Sequence, residues 1–354
     1  MRIFLAGPPL TCGGGNVEAG DSALLWREAG LDVTCLYFEG CKCGKKVHMP
    51  EGSNPWVDRL ARAGIDFEAA PSGYLHDVEG LPGSIIVGFC HSHLLHNWPE
   101  LKRIGCRMVW SPCMCFRMLD ENEALRDMPP TAVHFQSRYQ MWQSTAEYEG
   151  WGCEEFAHIP GAFSQFKYNP RPHRRGEPFV VGRLARPSRT KWSPHIWDIL
   201  AAVREAGVDV RALFQGWSAE LEFHCSDPPG PPPEWAECLP QDTLSSEKFM
   251  GRCHAMIAPD WGVSENWPRI GLEAMSAGVP LVVDGRGGWV EMLGEENGAL
   301  CEKLGDYVPA LVKLAQDEDS RMEAIQSGRA RVERIAEPGP IAAKWLELFS
   351  KLGP

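Results

Sequence analysis

The chain has 354 residues, 44% of them hydrophobic and 23% charged, which is globular composition and enough chain for two domains. That excludes a disordered, collagen-like or coiled-coil protein. A formal net charge of -12 gives no global attraction for nucleic acid, so no nucleic-acid partner is expected.

The apolar start, Met1 to Ala6, is stopped by Gly7-Pro8 and is too short for a secretion signal. No apolar run approaches the roughly 18 residues of a spanning helix. A cytoplasmic location is therefore expected. The 13 cysteines read as mostly reduced thiols. Cys35, Cys41 and Cys43, and the pair Cys113 and Cys115, are spaced Cys-x-Cys rather than as zinc knuckles. His48 and His91 could complete a site on paper, but incidental thiols are the plainer reading, and no metal is expected.

Strand Arg2–Ala6 opens an α/β pattern. Cys12 to Asn16 is a glycine-rich turn, and Val17–Ala29 a helix stopped by Gly30. Strand Asp32–Phe38 follows. Lys42, Lys45 and Lys46 form a small basic patch, either a solvated loop or a peripheral contact with an anionic membrane face. Helix Pro55–Ala63 and strands Ile65–Phe67, Ser84–Cys90, Arg107–Trp110, Ala132–Gln136 and Phe156–Ile159 complete the first half. His91 and His93 follow a buried strand at the edge where open α/β sheets bind ligands. Residues 164–178, rich in proline and carrying Lys167, Arg171, Arg174 and Arg175, read as a linker.

The second half restarts the rhythm with strand Phe179–Val181, helix His195–Ala206 and strands Val208–Phe214 and Ala255–Ala258. Helix Pro268–Ala277, strand Pro280–Val283 and helices Tyr307–Gln316 and Ser320–Ile335 follow. Glu337 to Pro340 breaks the chain before a last helix, Ala342–Leu352. Pro268 suits a first helical position, which puts Glu265 just before a helix and Glu273 inside it. A helix N-terminus suits a diphosphate, and flanking carboxylates could hold sugar hydroxyls. The plain alternative is two structural charges.

Ser264 to Gly288, with Glu265, Glu273, Ala274, Met275, Gly278, Pro280, Gly287, Gly288 and Glu291 in register, resembles the Glu-x7-Glu signature of family-4 retaining glycosyltransferases. Val181-Gly182-Arg183-Leu184 and Lys191 resemble that family's diphosphate clamp. The resemblance runs the length of the chain, with its specific motifs in the second half. It implies the GT-B fold: two Rossmann-like parallel-sheet domains facing across a cleft, with a helix crossing back. The domains would be 1–163 for the acceptor, 179–335 for the donor, with 164–178 the linker and 336–354 the returning helix.

The resemblance further implies transfer of a hexose from a nucleotide-diphosphate sugar to an acceptor hydroxyl with retention of configuration. The acceptor, whether a sugar, a lipid-linked group or a protein, is not given. No cofactor and no bound metal are implied. Glu265 would contact the hexose and Glu273 the ribose, while Arg183 and Lys191 would neutralise the diphosphate. Gly13, Gly14 and Gly15 would admit the donor, and His91, favoured over His93, would touch it. Lys191 lies eight residues after Arg183, a longer interval than the family's, so Arg186 or Arg189 could share its task. Asn266, Trp267 and Pro268 replace the family's Gly-Phe-Gly, and Arg269 adds a charge; Asn266, Trp267 and Arg269 would line the donor pocket. A nucleotide-sugar epimerase, a phosphorylase and a non-catalytic nucleotide-sugar-binding protein are the alternatives.

Overall fold

The computed structural model describes residues 1–7, 9, 14–39, 55–117, 119–163, 172–174, 176–188, 191–218, 230–259, 262–294 and 298–353. Gly13, Cys41, Cys43, the Lys42, Lys45 and Lys46 patch, His48, Lys167, Arg171, Arg175 and Arg189 lie outside the described residues. The chain divides into two compact units, Met1–Phe163 with Glu337–Pro354, and Ser164–Ala336.

The first unit is built on a sheet of β1 (Arg2–Ala6), β2 (Asp32–Glu39), β3 (Asp66–Pro71), β4 (Ile85–Phe89), β5 (Arg107–Ser111), β6 (Ala132–Phe135) and β7 (Glu155–His158). The order is β3-β2-β1-β4-β5-β6-β7, and the pairs are parallel. Parallel strands covered on both faces read as unbroken apolar runs, and Ile85–Phe89 is buried throughout. Alternation sends Ile3, Leu5, Ile85 and Val87 to one core with Trp26, Trp345 and Phe349. Phe4, Ile86, Met108 and Trp110 go to the other, with Leu94, Trp98 and Leu101.

Helix α1 (Gly14–Glu28) starts three residues before the expected Val17. Gly14 and Gly15 thus form a helical first turn rather than part of a loop. The penalty of glycine is smallest at a helix end, where few intrahelical bonds depend on the residue. Helix α2 is Pro55–Arg62. Helix α3 (Ser92–Arg103) was not foreseen, because Pro99 lies inside it. Helices α4 (Leu119–Asp127) and α5 (Arg138–Gly150) complete the covering.

In the second unit, β8 (Phe179–Leu184), β9 (Val210–Gln215), β10 (Ala236–Leu239), β11 (Ala255–Ala258), β12 (Leu281–Asp284) and β13 (Gly298–Cys301) pair in parallel in the order β10-β9-β8-β11-β12-β13. Around them pack α6 (Ile196–Glu205), α7 (Ser246–Met250), α8 (Arg269–Ala277), α9 (Gly288–Leu293), α10 (Leu304–Gln316) and α11 (Glu318–Ala336).

Helix α12 (Pro338–Leu352) belongs to the first unit. The expected break at Pro338 to Pro340 is instead the helix's first turn. Proline loses nothing there, because first-turn N–H groups have no intrahelical acceptor. Its Trp345 ring lies 5.0 Å from Trp26 and 4.5 Å from His134.

Both sheets therefore reverse direction once, between β1 and β4 and between β8 and β11. In open α/β sheets ligands bind beyond the carboxyl ends of the strands at that reversal.

Candidate active site

In the second unit, β8 ends on Arg183-Leu184 and the chain continues to Lys191. Arg183 is only 3% exposed. Its Nη2 donates to the Lys191 carbonyl at 2.5 Å and its Nη1 to the Ile257 carbonyl on β11 at 3.3 Å. The guanidinium also sits 5.9 Å from the centre of the buried Trp192 ring. Arg183 thus ties the loop leaving β8 to the neighbouring strand across the reversal.

That loop delivers Lys191 to Glu265. Nζ and Oε1 form an ion pair, with 26% and 20% of the two side chains exposed. Despite the long interval after Arg183, Lys191 reaches Glu265. Arg186 is exposed, and its carbonyl accepts the Trp192 Nε1 hydrogen bond at 3.0 Å.

Pro268 is the N-cap of α8, with φ -73° and ψ 94°, rather than its first helical residue. It provides no side-chain cap, and its carbonyl accepts from the Gly271 N–H at 2.8 Å. The helix closes on Gly278 in the left-handed conformation at φ 74°. Glu273 lies in the second turn and is partly buried. Asn266, Trp267 and Arg269 are all buried. The Trp267 Nε1 has no hydrogen-bond partner among the described residues.

At the reversal of the first sheet, Gly7 follows β1 and His91 follows β4. His91 is the N-cap of α3, with no side-chain cap bond. Gly7 has φ 74°, and a Cβ there would collide with His91 Nε2. Cys90, immediately before it, holds φ 49°, a conformation that costs a non-glycine residue energy. The Cys90 Sγ accepts from the Cys113 N–H at 2.8 Å. The His91 ring lies 5.3 Å from His93 and 6.4 Å from Phe38. Burial, and then the neighbouring His93, push the His91 pKa down to about 3, so its imidazole is neutral at physiological pH.

A Cβ on Gly14 would meet none of the described residues, and one on Gly15 only the Cys113 side chain, at 3.5 Å. Packing against the described residues therefore does not require glycine at either position. Among the described residues no three His, Cys, Asp or Glu side chains are placed to hold a metal ion.

No family model matches the sequence, and no curated protein matches it. Solved structures do. Anabaena HepE in complex with UDP-glucose aligns over 99% of this chain and 100% of its own, with TM-score 0.73 and 15% identity. Sucrose-phosphate synthase from Thermosynechococcus elongatus aligns over 99% and 98%, with TM-score 0.70 and 15% identity. The lipopolysaccharide outer core galactosyltransferase WaaB aligns over 99% and 100%, with TM-score 0.69 and 13% identity.

The chain has the GT-B fold. Within that frame Lys191, Glu265 and the loop fixed by Arg183 converge at the reversal of the second sheet, and His91 with the α1 glycines sits at the reversal of the first. Sequence reasoning missed Gly7 and Cys90. The Gly7-Pro8 pair signalled a turn, but a positive φ at a cysteine leaves no sequence signal.

Proposed function

We propose that this chain transfers a hexose from a nucleoside-diphosphate sugar to an acceptor hydroxyl with retention of anomeric configuration. The observation that carries the reading is the Lys191–Glu265 pair ahead of α8. In the reaction the bond between the anomeric carbon and the diphosphate oxygen breaks, and its electron pair leaves on the diphosphate. The acceptor oxygen bonds to the same carbon on the face being vacated and gives its proton to the departing diphosphate oxygen.

Negative charge grows on the diphosphate during this step, so a cation already in place acts mainly on the transition state. Lys191 supplies that cation, and the first-turn N–H groups of α8 supply donors. The diphosphate competes with Glu265 for the Lys191 ammonium. Once Lys191 turns to the diphosphate, the Glu265 carboxylate is released toward the hexose, where positive charge develops. Glu273 takes the ribose hydroxyls, and Asn266, Trp267 and Arg269 shape the loop around the donor. His91, Gly14 and Gly15 keep the donor contacts implied by the resemblance, with His91 acting as a neutral hydrogen-bonding group.

HepE has been seen with UDP-glucose, which makes uridine nucleotides the first probes. The test is a thermal-shift panel of UDP, GDP, ADP and their hexose conjugates. A specific ligand at 100 times its Kd stabilises by about 2.7 kcal/mol. Release of nucleoside diphosphate from the stabilising donor is then followed with and without candidate acceptors. No stabilisation by any nucleotide defeats the reading. Stabilisation without release identifies a binding protein, and interconversion of the sugar with no acceptor consumed identifies an epimerase.

A further inference from the structure

Glu265 lies in a loop between β11 and α8, yet a carboxylate that acts on a transition state has to be held within a fraction of an ångström. What holds it comes from elsewhere in the chain. The N–H of Gly288, the first residue of α9, donates to the Glu265 carbonyl at 2.7 Å. A Cβ on Gly287 would lie 2.5 Å from the same carbonyl oxygen and 2.9 Å from Ser264 Cβ. A Cβ on Gly288 would collide with the carbonyl oxygen of Asn266. Two successive residues without side chains thus let the start of α9 lie directly against the backbone of Glu265 and Asn266.

The support is itself anchored. Trp289 and Met292 of α9 are buried and pack on Gly271 of α8, where a Cβ would meet both. At the other end of α9, Arg331 of α11 donates to the carbonyls of Glu291, at 2.6 Å, and Met292, at 3.1 Å. The Glu265 loop therefore leans on a short helix fixed to two longer ones.

We infer that Gly287 and Gly288 are positioning residues for the Glu265 carboxylate, acting through its main chain and touching no substrate themselves. The inference rests on the functional reading of Glu265 given above. Gly288→Ala tests close approach alone, since Gly288 does not lie at positive φ. Gly287→Ala adds the strain of φ 60°.

The experiment measures UDP release from UDP-glucose, UDP affinity and cooperative melting for each variant. Both alanine variants should lower kcat by about 100-fold. UDP affinity should not fall by more than about twofold, the limit of additivity between sites that are not coupled. In the Glu265→Gln background, Gly288→Ala should lower kcat by no more than about twofold further, because the group it positions is already disabled. Gly305→Ala, where a Cβ would meet nothing, is the control and should leave kcat unchanged.

Full turnover in Gly288→Ala overturns the inference. So does a loss that multiplies undiminished on Glu265→Gln, and so does absence of cooperative melting in both glycine variants, since the pair would then serve the fold and not the site. Full turnover in Glu265→Gln itself is a different failure. It removes the functional reading, and the positioning role with it.

Discussion

The two sheets repeat one strand order and place opposite chemistry at the same topological point. Where β1 and β4 part, the chain supplies bare glycine, two thiols and an imidazole kept neutral. Where β8 and β11 part, it supplies a guanidinium bound to backbone carbonyls and an ammonium paired with a carboxylate. Topology thus decides where a ligand can sit, and the few residues just past the strand ends decide what kind. On the proposed function, a diphosphate belongs with the cations of the second sheet.

The sharpest way to break this contrast is Glu265→Gln. Donor turnover should fall about 100-fold or more, as when a transition-state contact is lost. UDP affinity should rise, because Lys191 is released from its ion pair. Unchanged turnover moves the chemistry elsewhere, and weaker UDP binding denies the competition for Lys191. Both are read from one set of turnover and calorimetric measurements.

Next in size is Arg183→Ala. It leaves two buried carbonyls without a charged donor, at a cost of roughly 1.5–3 kcal/mol for each such bond. A lowered melting temperature and lowered turnover should appear together, since Lys191 loses the anchor of its loop. Lost turnover with unchanged melting would make Arg183 a direct diphosphate ligand instead.

Glu273→Ala should weaken UDP binding about tenfold, equivalent to one charge-assisted hydrogen bond, with melting in the absence of nucleotide nearly unchanged. Unaltered UDP affinity would return Glu273 to a purely structural role.

The smallest effect concerns the first edge. The folded chain keeps His91 neutral down to about pH 3, whereas an unfolded histidine titrates near about 6.5. Below that pH the unfolded chain binds the extra proton, so stability is full above about pH 6.5 and is lost as the pH falls toward 3. His134, held to about 4 by burial, adds to the same slope. Urea unfolding between pH 7 and 4 should show a shallower pH dependence in His91→Gln than in the parent. Identical slopes would mean that His91 is solvated and charged, and the two edges would be less different than described.

Much of the fold was legible in the sequence. Ala255–Ala258 matches β11 residue for residue, because a short apolar run between turn signals has few other readings. What escaped were elements whose signals were weak or contradictory. Pro99 concealed α3, β10 and β13 are four-residue edge strands, and α9 begins with the glycines that usually end a helix. In the site, Lys191 and Glu265 could be named from their motifs, but their pairing could not, since 74 residues separate them. Arg183 was named as a diphosphate clamp, and only the fold shows its N–H groups turned to backbone carbonyls. The Gly287-Gly288 pair was visible as a pattern. What it presses against was not, because close approach depends on a neighbour more than 20 residues earlier.

The helix α12 carries a consequence for synthesis. Ile341, Trp345, Leu348 and Phe349 belong to the same core as Trp26, Val87 and Phe89, and the whole second unit is translated between them. While a ribosome is still making residues 164–336, the first unit has its sheet but not the helix that closes one face of it. Trp26 and Phe89 then lie open to water, or to a chaperone, for the time needed to add more than 170 residues. At roughly 5–20 residues per second that is on the order of 10–30 seconds. The second unit, continuous in sequence, can complete its core first, so the part of the chain that emerges earliest is the last to be finished.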